Sequence, residues 1–428
     1  MNLSLFSLAV HSGKCDAALE VLYGKSSAEL ETQRRRYLHA ISRFAELFPN
    51  RDDIRLFSAP GRTEIGGNHT DHQHGCALAA AVNLDVIAVV SFHNEKKVRF
   101  VSEGHDTIAI DLSDLSVRED EKGTSDALVR GIIARFAEMG VEVGGFDAFS
   151  TSDVLSGSGL SSSAAFETLI GTIINIQYND CKADEAEIAK IGQYAENVYF
   201  GKGSGLLDQT VCAYGGFVFI DFLDTEKPYV EKYRFDFEKA GYNLCITDTK
   251  GSHADLTDDY VAVPGEMRSV AREFGKEYLR EVDEFLFLRS VADLRGRCSD
   301  RAIMRAVHYF KENRRAVDEA QALDNGDIER FFSLYRRSAD SSANLLQNHY
   351  SCSKPTEQGI SLGIMMSRLI LGDDAAVRVH GGGFAGTIQA FVPIFKTEEY
   401  VRKMNALFGA GSCYVLRIRP VGGAEITV

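Results

Sequence analysis

The sequence predicts an α+β protein of two lobes with a cleft between them. Its 428 residues exceed the size at which one hydrophobic core usually stops growing, which sets an expectation of about two domains. Strand-like and helix-like patterns interleave through the first half, a charged helical block runs from about Glu266 to Gln347, and strand-like segments return near the C-terminus. The second lobe is drawn from about residue 225, giving lobes of 1–225 and 226–428. With 7 Pro in the chain and no Pro-rich linker, internal repeat or low-complexity tract, the two are expected to pack closely.

Taken in order, 28–48 carries apolar residues at Leu30, Tyr37, Ile41, Phe44 and Leu47, the pattern of an amphipathic helix. Arg55 to Pro60 reads as extended, a Gly-rich turn follows, and Ala77 to Phe92 contains the buried-strand run Val86 to Val90. Gly157 to Ser163 is a Gly/Ser loop that opens a helix over Ala164 to Tyr178. Asp184 and Glu187 have capping-box spacing before a helix over Glu185 to Phe200, which the glycines at 201–205 end. Gly216 to Phe222 and Tyr242 to Thr249 read as strands. Ala376 to His380 and Thr387 to Phe391 do so as well and flank a glycine-rich turn, and Tyr414 to Arg419 is the last strand.

Composition narrows the function. Hydrophobic residues make up 45% and charged residues 25%, as in an ordinary globular protein. The net charge of −14 argues against a nucleic-acid surface, which needs clustered Lys and Arg. No apolar run approaches a membrane span, and Lys14 and Asp16 follow Met1 to Val10 too soon for a secretory leader, so no membrane partner is expected. Eight scattered cysteines without a C-x-x-C pair fit reduced thiols and a cytoplasmic protein.

The loop Gly157-Ser158-Gly159-Leu160-Ser161-Ser162-Ser163 has the chemistry of an anion cradle. Glycines admit a close backbone, hydroxyls donate, and the following helix offers N–H groups and the positive end of its dipole. An ordinary Ser-rich helix start is the plain alternative. No G-x-x-x-x-G-K-[ST] occurs. Gly381, Gly383 and Gly386 match G-x-G-x-x-G, but a strand follows where a dinucleotide site needs a helix. The segment from Ala59 to His72 crowds Arg62, Asn68, His69, Asp71 and His72 into one turn, a density that suits a polar ligand. His69, Asp71, His72 and His74 also permit a metal reading, although no helical H-x-x-x-H pair accompanies them.

Three segments together resemble the galactokinase branch of the GHMP kinases. Gly61 to Asp71 resembles the galactokinase signature, Gly157 to Ala165 the family's ATP loop, and Val377 to Thr387 its third, Gly-rich motif. Gly205-Leu206-Leu207-Asp208-Gln209 looks like the catalytic-aspartate segment. The likeness runs from about residue 20 to the end. It implies the two-lobed GHMP kinase fold, an N-terminal mixed α/β lobe and a C-terminal ferredoxin-like α+β lobe, and an ATP- and Mg²⁺-dependent sugar 1-kinase with galactose as substrate.

By that resemblance Asp208 is the catalytic base and Arg62 the cation beside it. Residues 157–163 hold ATP, Ser163 and Glu196 hold Mg²⁺, and Asn68, His69, Asp71, Gly205, Asp208 and Tyr260 meet the sugar. The chemistry is consistent, since a carboxylate must take the sugar proton while a guanidinium keeps it ionised. The plain alternatives are that Asp208 caps a helix with Arg62 as a structural ion-pair partner, that Tyr260 is a packed ring, and that Glu196 is a solvated mid-helix acid. Asn68 stands where galactokinases carry Glu. Loss of that charge would ease entry of a uronic acid, which makes galacturonate the runner-up substrate. The chain has no Trp to stack on adenine, and the adenine pocket is expected somewhere between Asp85 and Thr124. A non-catalytic sugar/ATP sensor on the same fold and a metallohydrolase using the His-rich turn are the other readings.

Overall fold

The computed structural model describes residues 1–154, 159–251 and 256–428. An eight-stranded sheet is formed by β1 (Arg55–Gly66), β2 (Cys76–His93), β3 (Lys97–Ser102), β4 (Thr107–Asp111), β5 (Gly145–Ser152), β6 (Phe217–Asp221), β7 (Tyr229–Tyr233) and, after a second sheet, the C-terminal strand. The second sheet has four strands, β8 (Tyr242–Asp248), β9 (Ala376–His380), β10 (Thr387–Pro393) and β11 (Cys413–Leu416), and β12 (Ala424–Ile426) returns the chain to the first. The order β12-β1-β2-β5-β3-β4 holds the first sheet together, with β6 on the early half of β2 and β7 beyond it. β3 and β5 form its parallel pair.

The second sheet runs β11-β8-β10-β9, all antiparallel, the ferredoxin-like order expected for the C-terminal lobe. Helices Gly359–Leu371 and Thr397–Phe408 cover it, with Ile360, Ile364, Tyr400 and Met404 packed on Val377, Val379, Ile388 and Ala390. The charged helical block lies between β8 and β9. The crossing points do not fall at one place in sequence: β7 and β12 both belong to the first sheet, and Ile426 pairs with Leu56.

One face of the first sheet carries helices Ser125–Glu138, Ser162–Tyr178, Glu185–Tyr194 and Leu207–Tyr214, and their apolar residues form the main core with the Ala-rich centre of β2. Small side chains at Ala77, Ala79, Ala80 and Ala81, all fully buried, let these helices approach the strand closely. The N-terminal helix is found at Ser27–Leu47, and two shorter helices, Leu3–His11 and Asp16–Tyr23, precede it. Phe6, Val10, Leu19, Leu22, Ile41 and Phe44 close over Leu56, Ile87, Val89 and Phe149 as a separate core. A buried carboxylate pins this layer: Asp85 accepts from Tyr23 at 2.6 Å, Arg36 at 2.6 Å and Arg419 at 2.9 Å, and also from Ser58.

Two local expectations are corrected. The supposed turn from Ala59 to His72 is strand as far as Gly66, because β1 continues along β2 through two bulges, at 60–62 and 64–66. The expected single helix over Glu185 to Phe200 is α-helical only to Tyr194. Residues Ala195–Phe200 widen into a π turn that ends at Gly201 with φ +83°.

Candidate active site

The first bulge of β1 brings the loop and the base together. A Cβ at Gly61 would lie 2.8 Å from the Leu160 carbonyl, so glycine lets the loop lie against the strand. The Arg62 N–H donates to that carbonyl at 3.0 Å, and the Arg62 side chain turns toward the helix Leu207–Tyr214. There Arg62 Nε donates to Asp208 Oδ1 at 2.8 Å, its Nη1 donates to the Gly159 carbonyl, and the Ser161 hydroxyl donates to Asp208 Oδ2. Asp208 makes no helix-capping bond, and its side chain remains 35% accessible.

Desolvation would raise the Asp208 carboxyl. The charge and hydrogen bond of Arg62, the Ser161 hydroxyl and the charge of Lys202 outweigh it and hold the group below the ordinary carboxylate value. The same pairing raises Arg62 despite its burial. The pair is therefore a carboxylate kept ionised beside a fixed cation.

Ser161 sits at φ +57°, an uncommon conformation for a serine, at the N-cap of helix Ser162–Tyr178. Its side chain serves Asp208 and does not cap the helix, so the first-turn N–H groups at Ser162, Ser163 and Ala164 have no side-chain cap among the described residues. Leu160 is buried beneath the loop. Gly157 and Ser158 lie outside the described residues.

In the first turn of that helix, Ser163 Oγ donates to Glu196 Oε1 at 3.3 Å. Glu196, in the π turn, is 3% exposed, so the plain alternative of a solvated acid fails. Lys202 Nζ lies 3.3 Å from the same oxygen. Gln209 Nε2 reaches Glu196 Oε2 at 2.9 Å and Glu167 Oε2 at 3.0 Å. Burial, and then the neighbouring Glu196, push the Glu167 carboxyl well above its ordinary value. Sequence reading missed Glu167, Gln209, Lys202 and the role of Ser161 on Asp208. A lone acid four residues after Ser163 in an otherwise apolar helix was the available sign of Glu167.

Arg62, Glu196, Lys202, Asp208 and Gln209 line a cavity of about 320 Å³ that also receives the polar turn and the third glycine motif, and Ser161, Ser163 and Glu167 are tied to that wall through Asp208, Glu196 and Gln209. Asp71 and Gly205 face each other across it, with Asp71 Oδ2 3.8 Å from where a Gly205 Cβ would stand. His69 Nε2 donates to the Gly382 carbonyl at 2.8 Å, and its Nδ1 accepts from His72 Nε2 at 3.3 Å. Asn68 is 1% exposed and fully engaged. Its Nδ2 donates to Glu64 at 3.0 Å and to the Gly381 carbonyl at 2.8 Å, while its Oδ1 accepts from Asn348 at 3.0 Å and Ser342 at 3.3 Å. Tyr260 stands behind the wall, its hydroxyl donating to the Gly383 carbonyl at 2.8 Å and its ring edge-on to Phe384. A larger hollow of about 690 Å³ lies elsewhere, between β7, β8 and β11, and holds none of these residues.

The metal reading of the His-rich turn finds no ligand set. His69 and His72 bond each other, His74 stacks on Tyr278 at 3.8 Å, and no group of three His, Cys, Asp or Glu among the described residues is arranged around an ion. All eight cysteines are free thiols, and no helix among the described residues is long and apolar enough to cross a membrane.

Buried histidines around the site give it a pH dependence. Burial lowers His308 to about 3 and His72 and His349 to about 4. His308 Nε2 donates to the Asn68 carbonyl at 2.9 Å and its Nδ1 accepts from Ser341 at 2.8 Å, so it works as a neutral ring. The unfolded chain binds these protons near the ordinary value of 6.5 and the folded protein does not, so stability falls as pH drops below 6.5. The loss is at most about 1.4 kcal/mol per pH unit for each histidine. Thermal unfolding followed from pH 7 downward should show a falling midpoint before the carboxylates titrate, and a flat midpoint there would contradict the assignment.

Comparison with known proteins places the sequence and the fold in a family. Residues 42–92 match the galactokinase galactose-binding signature and residues 127–216 the GHMP kinase N-terminal domain. A galactokinase of Glaesserella parasuis serovar 5 (strain SH0165) is 31% identical over 355 residues, covering 81% of this chain and 87% of that protein. One from Lactobacillus helveticus is 28% identical over 367 residues, covering 82% and 89%. Among solved structures, Lactococcus lactis galactokinase complexed with galactose superposes with a TM-score of 0.75 at 24% identity, over 90% of this chain and 98% of that one. Methanococcus jannaschii mevalonate kinase superposes at 0.62 and 14% identity, over 86% and 98%. With that identity sustained over most of both chains, and with both family segments in place, the chain belongs to the galactokinase family of GHMP-type sugar kinases.

Proposed function

We propose that the protein transfers the γ-phosphoryl group of ATP to the anomeric hydroxyl of galactose, giving galactose 1-phosphate and ADP. The observation that carries this reading is an ionised Asp208 on the wall of a sugar-sized cavity, bonded directly to the loop and helix start at 159–163 through Ser161 and, by way of Arg62, through the Gly159 carbonyl. In the reaction Asp208 accepts the C1 hydroxyl proton, the oxygen bonds to the γ-phosphorus, and the bond to the β–γ bridging oxygen breaks as ADP leaves. The uncapped N–H groups at the start of helix Ser162–Tyr178 face the phosphates, with the helix dipole favouring anions there. Asp71, His69 and Gly205 orient the sugar, and Asn68 acts one layer back by holding Gly381 and Glu64.

The donors at Ser163 and Glu196 fit Mg²⁺. Two hard oxygens lie together, and a side-chain cation, Lys202, already stands on one of them. When bound, Mg²⁺ would neutralise charge on the β- and γ-phosphates. A cation that keeps nucleotide oxygens and waters in its shell needs no larger protein ligand set.

Galactose is favoured over galacturonate by the state of Asn68. Both of its N–H groups are spent, and the carboxylate of Glu64 lies beside it, so Asn68 offers a uronate no donor. A panel of galactose, galacturonate, N-acetylgalactosamine and other hexoses with MgATP, read as ADP release, should rank galactose first in kcat/KM. Galacturonate ranking first would reverse the choice, and no ADP release with any sugar would revive the sensor reading.

A further inference from the structure

Lys202 follows the π turn and Gly201, whose left-handed backbone folds the chain back so that the Lys202 N–H donates to the Glu196 carbonyl at 3.0 Å. Its side chain then lies over the acid it has just passed. The ammonium is 3.3 Å from Glu196 Oε1, the same oxygen that accepts from Ser163. The two partners differ in freedom: the Glu196 side chain is 4% accessible and held by Gln209, whereas Lys202 is 61% accessible. Such a half-exposed pair is weak and readily exchanged. The cavity has one other cation among its described lining residues, Arg62, which is committed to Asp208 and the Gly159 carbonyl. The Lys202 charge already reaches Asp208 and Glu167.

We propose that Lys202 is an exchangeable cation of the transfer site. It occupies Glu196 while the site is empty, gives up that oxygen to the divalent metal, and moves its ammonium onto the phosphoryl oxygens as they pass to the sugar. This rests on the function proposed above. A transferring phosphoryl group spreads negative charge over three oxygens and is stabilised mainly by placed cations, so a mobile ammonium at the cavity wall adds where Arg62 cannot. No proton is transferred by Lys202. It remains charged throughout.

Lys202→Met keeps the aliphatic stem and removes the charge. In protein without nucleotide or sugar, Mn²⁺ titration followed by water-proton relaxation should show binding about two- to fivefold tighter in the variant, because the competing ammonium is gone. With MgATP, kcat should fall on the order of 10²-fold while KM for galactose is kept. Propylammonium added to Lys202→Ala should restore part of the lost turnover, which a purely structural role would not allow. Unchanged Mn²⁺ affinity, or a kcat equal to the parent protein's, overturns the proposal. The Mn²⁺ measurement needs no turnover, so a parent protein inactive on galactose would reject the substrate assignment separately.

Discussion

Replacing Asp208 by Asn should lower kcat by about 10²- to 10⁴-fold, the usual contribution of a positioned general base, with the KM for ATP nearly unchanged. The amide keeps the shape of the carboxylate and can still accept from Arg62 Nε or Ser161, so the loop and helix should stay in place. What it loses is the site for the sugar proton. If Asp208 served only as the ion-pair partner of Arg62, the variant would lose thermal stability and keep its turnover. Unfolding midpoint and single-turnover rate measured together therefore separate the two roles. The pH profile adds a check. Arg62, Ser161 and Lys202 hold the Asp208 carboxyl below the ordinary value of 3.8, so the group is ionised at neutral pH. The rate should show no loss from protonation of this base until the solution is strongly acidic.

Much of this site was legible from residue order because its parts are local. The Gly/Ser loop with the helix after it, the acid at 208 and the third glycine turn between β9 and β10 all sit in short stretches with their own chemistry. Their convergence was legible only through family resemblance, since no periodicity joins Arg62 to an acid 146 residues away. Burial of charge was the main blind spot. Residue patterning treats a mid-helix Glu as solvated, so Glu196 was singled out by the family resemblance alone and Glu167 was missed, although both are buried and share Gln209. Strands β3, β4 and β5 went unassigned, and β12, three residues long, is held by pairing with β1 across almost the whole chain. The helices Leu3–His11 and Asp16–Tyr23 are short enough that their stability comes from packing on a distant sheet face.

Charge burial reaches its extreme behind the sugar turn, and there the largest effect on stability is expected. Arg378, on β9, is fully buried. It pairs with Glu64 of β1, donates to Ser338 at 2.9 Å and to the Val379 carbonyl at 3.1 Å, and lies 3.8 Å from Glu312. Glu312 in turn pairs with Arg315 and accepts from Ser338 at 2.6 Å. Glu319 adds a third buried carboxyl, without a hydrogen-bond partner among the described residues, which burial raises to about 8. It presses on β1 where a Cβ at Gly66 would lie 1.7 Å from its Oε2. Arg378 is thus the cation that joins the two sheets under Asn68. Arg378→Met should cost about 3–5 kcal/mol, because it leaves buried Glu64 without its counter-charge. That is a large fraction of the roughly 5–15 kcal/mol available to a folded domain. Glu64→Gln should cost less, and the double variant should recover part of the single loss, since neither charge is then stranded. Denaturant unfolding of the four proteins gives the coupling directly. A loss below about 1 kcal/mol for Arg378→Met, the range of an exposed ion pair, would mean that the two sheets are held by apolar packing alone.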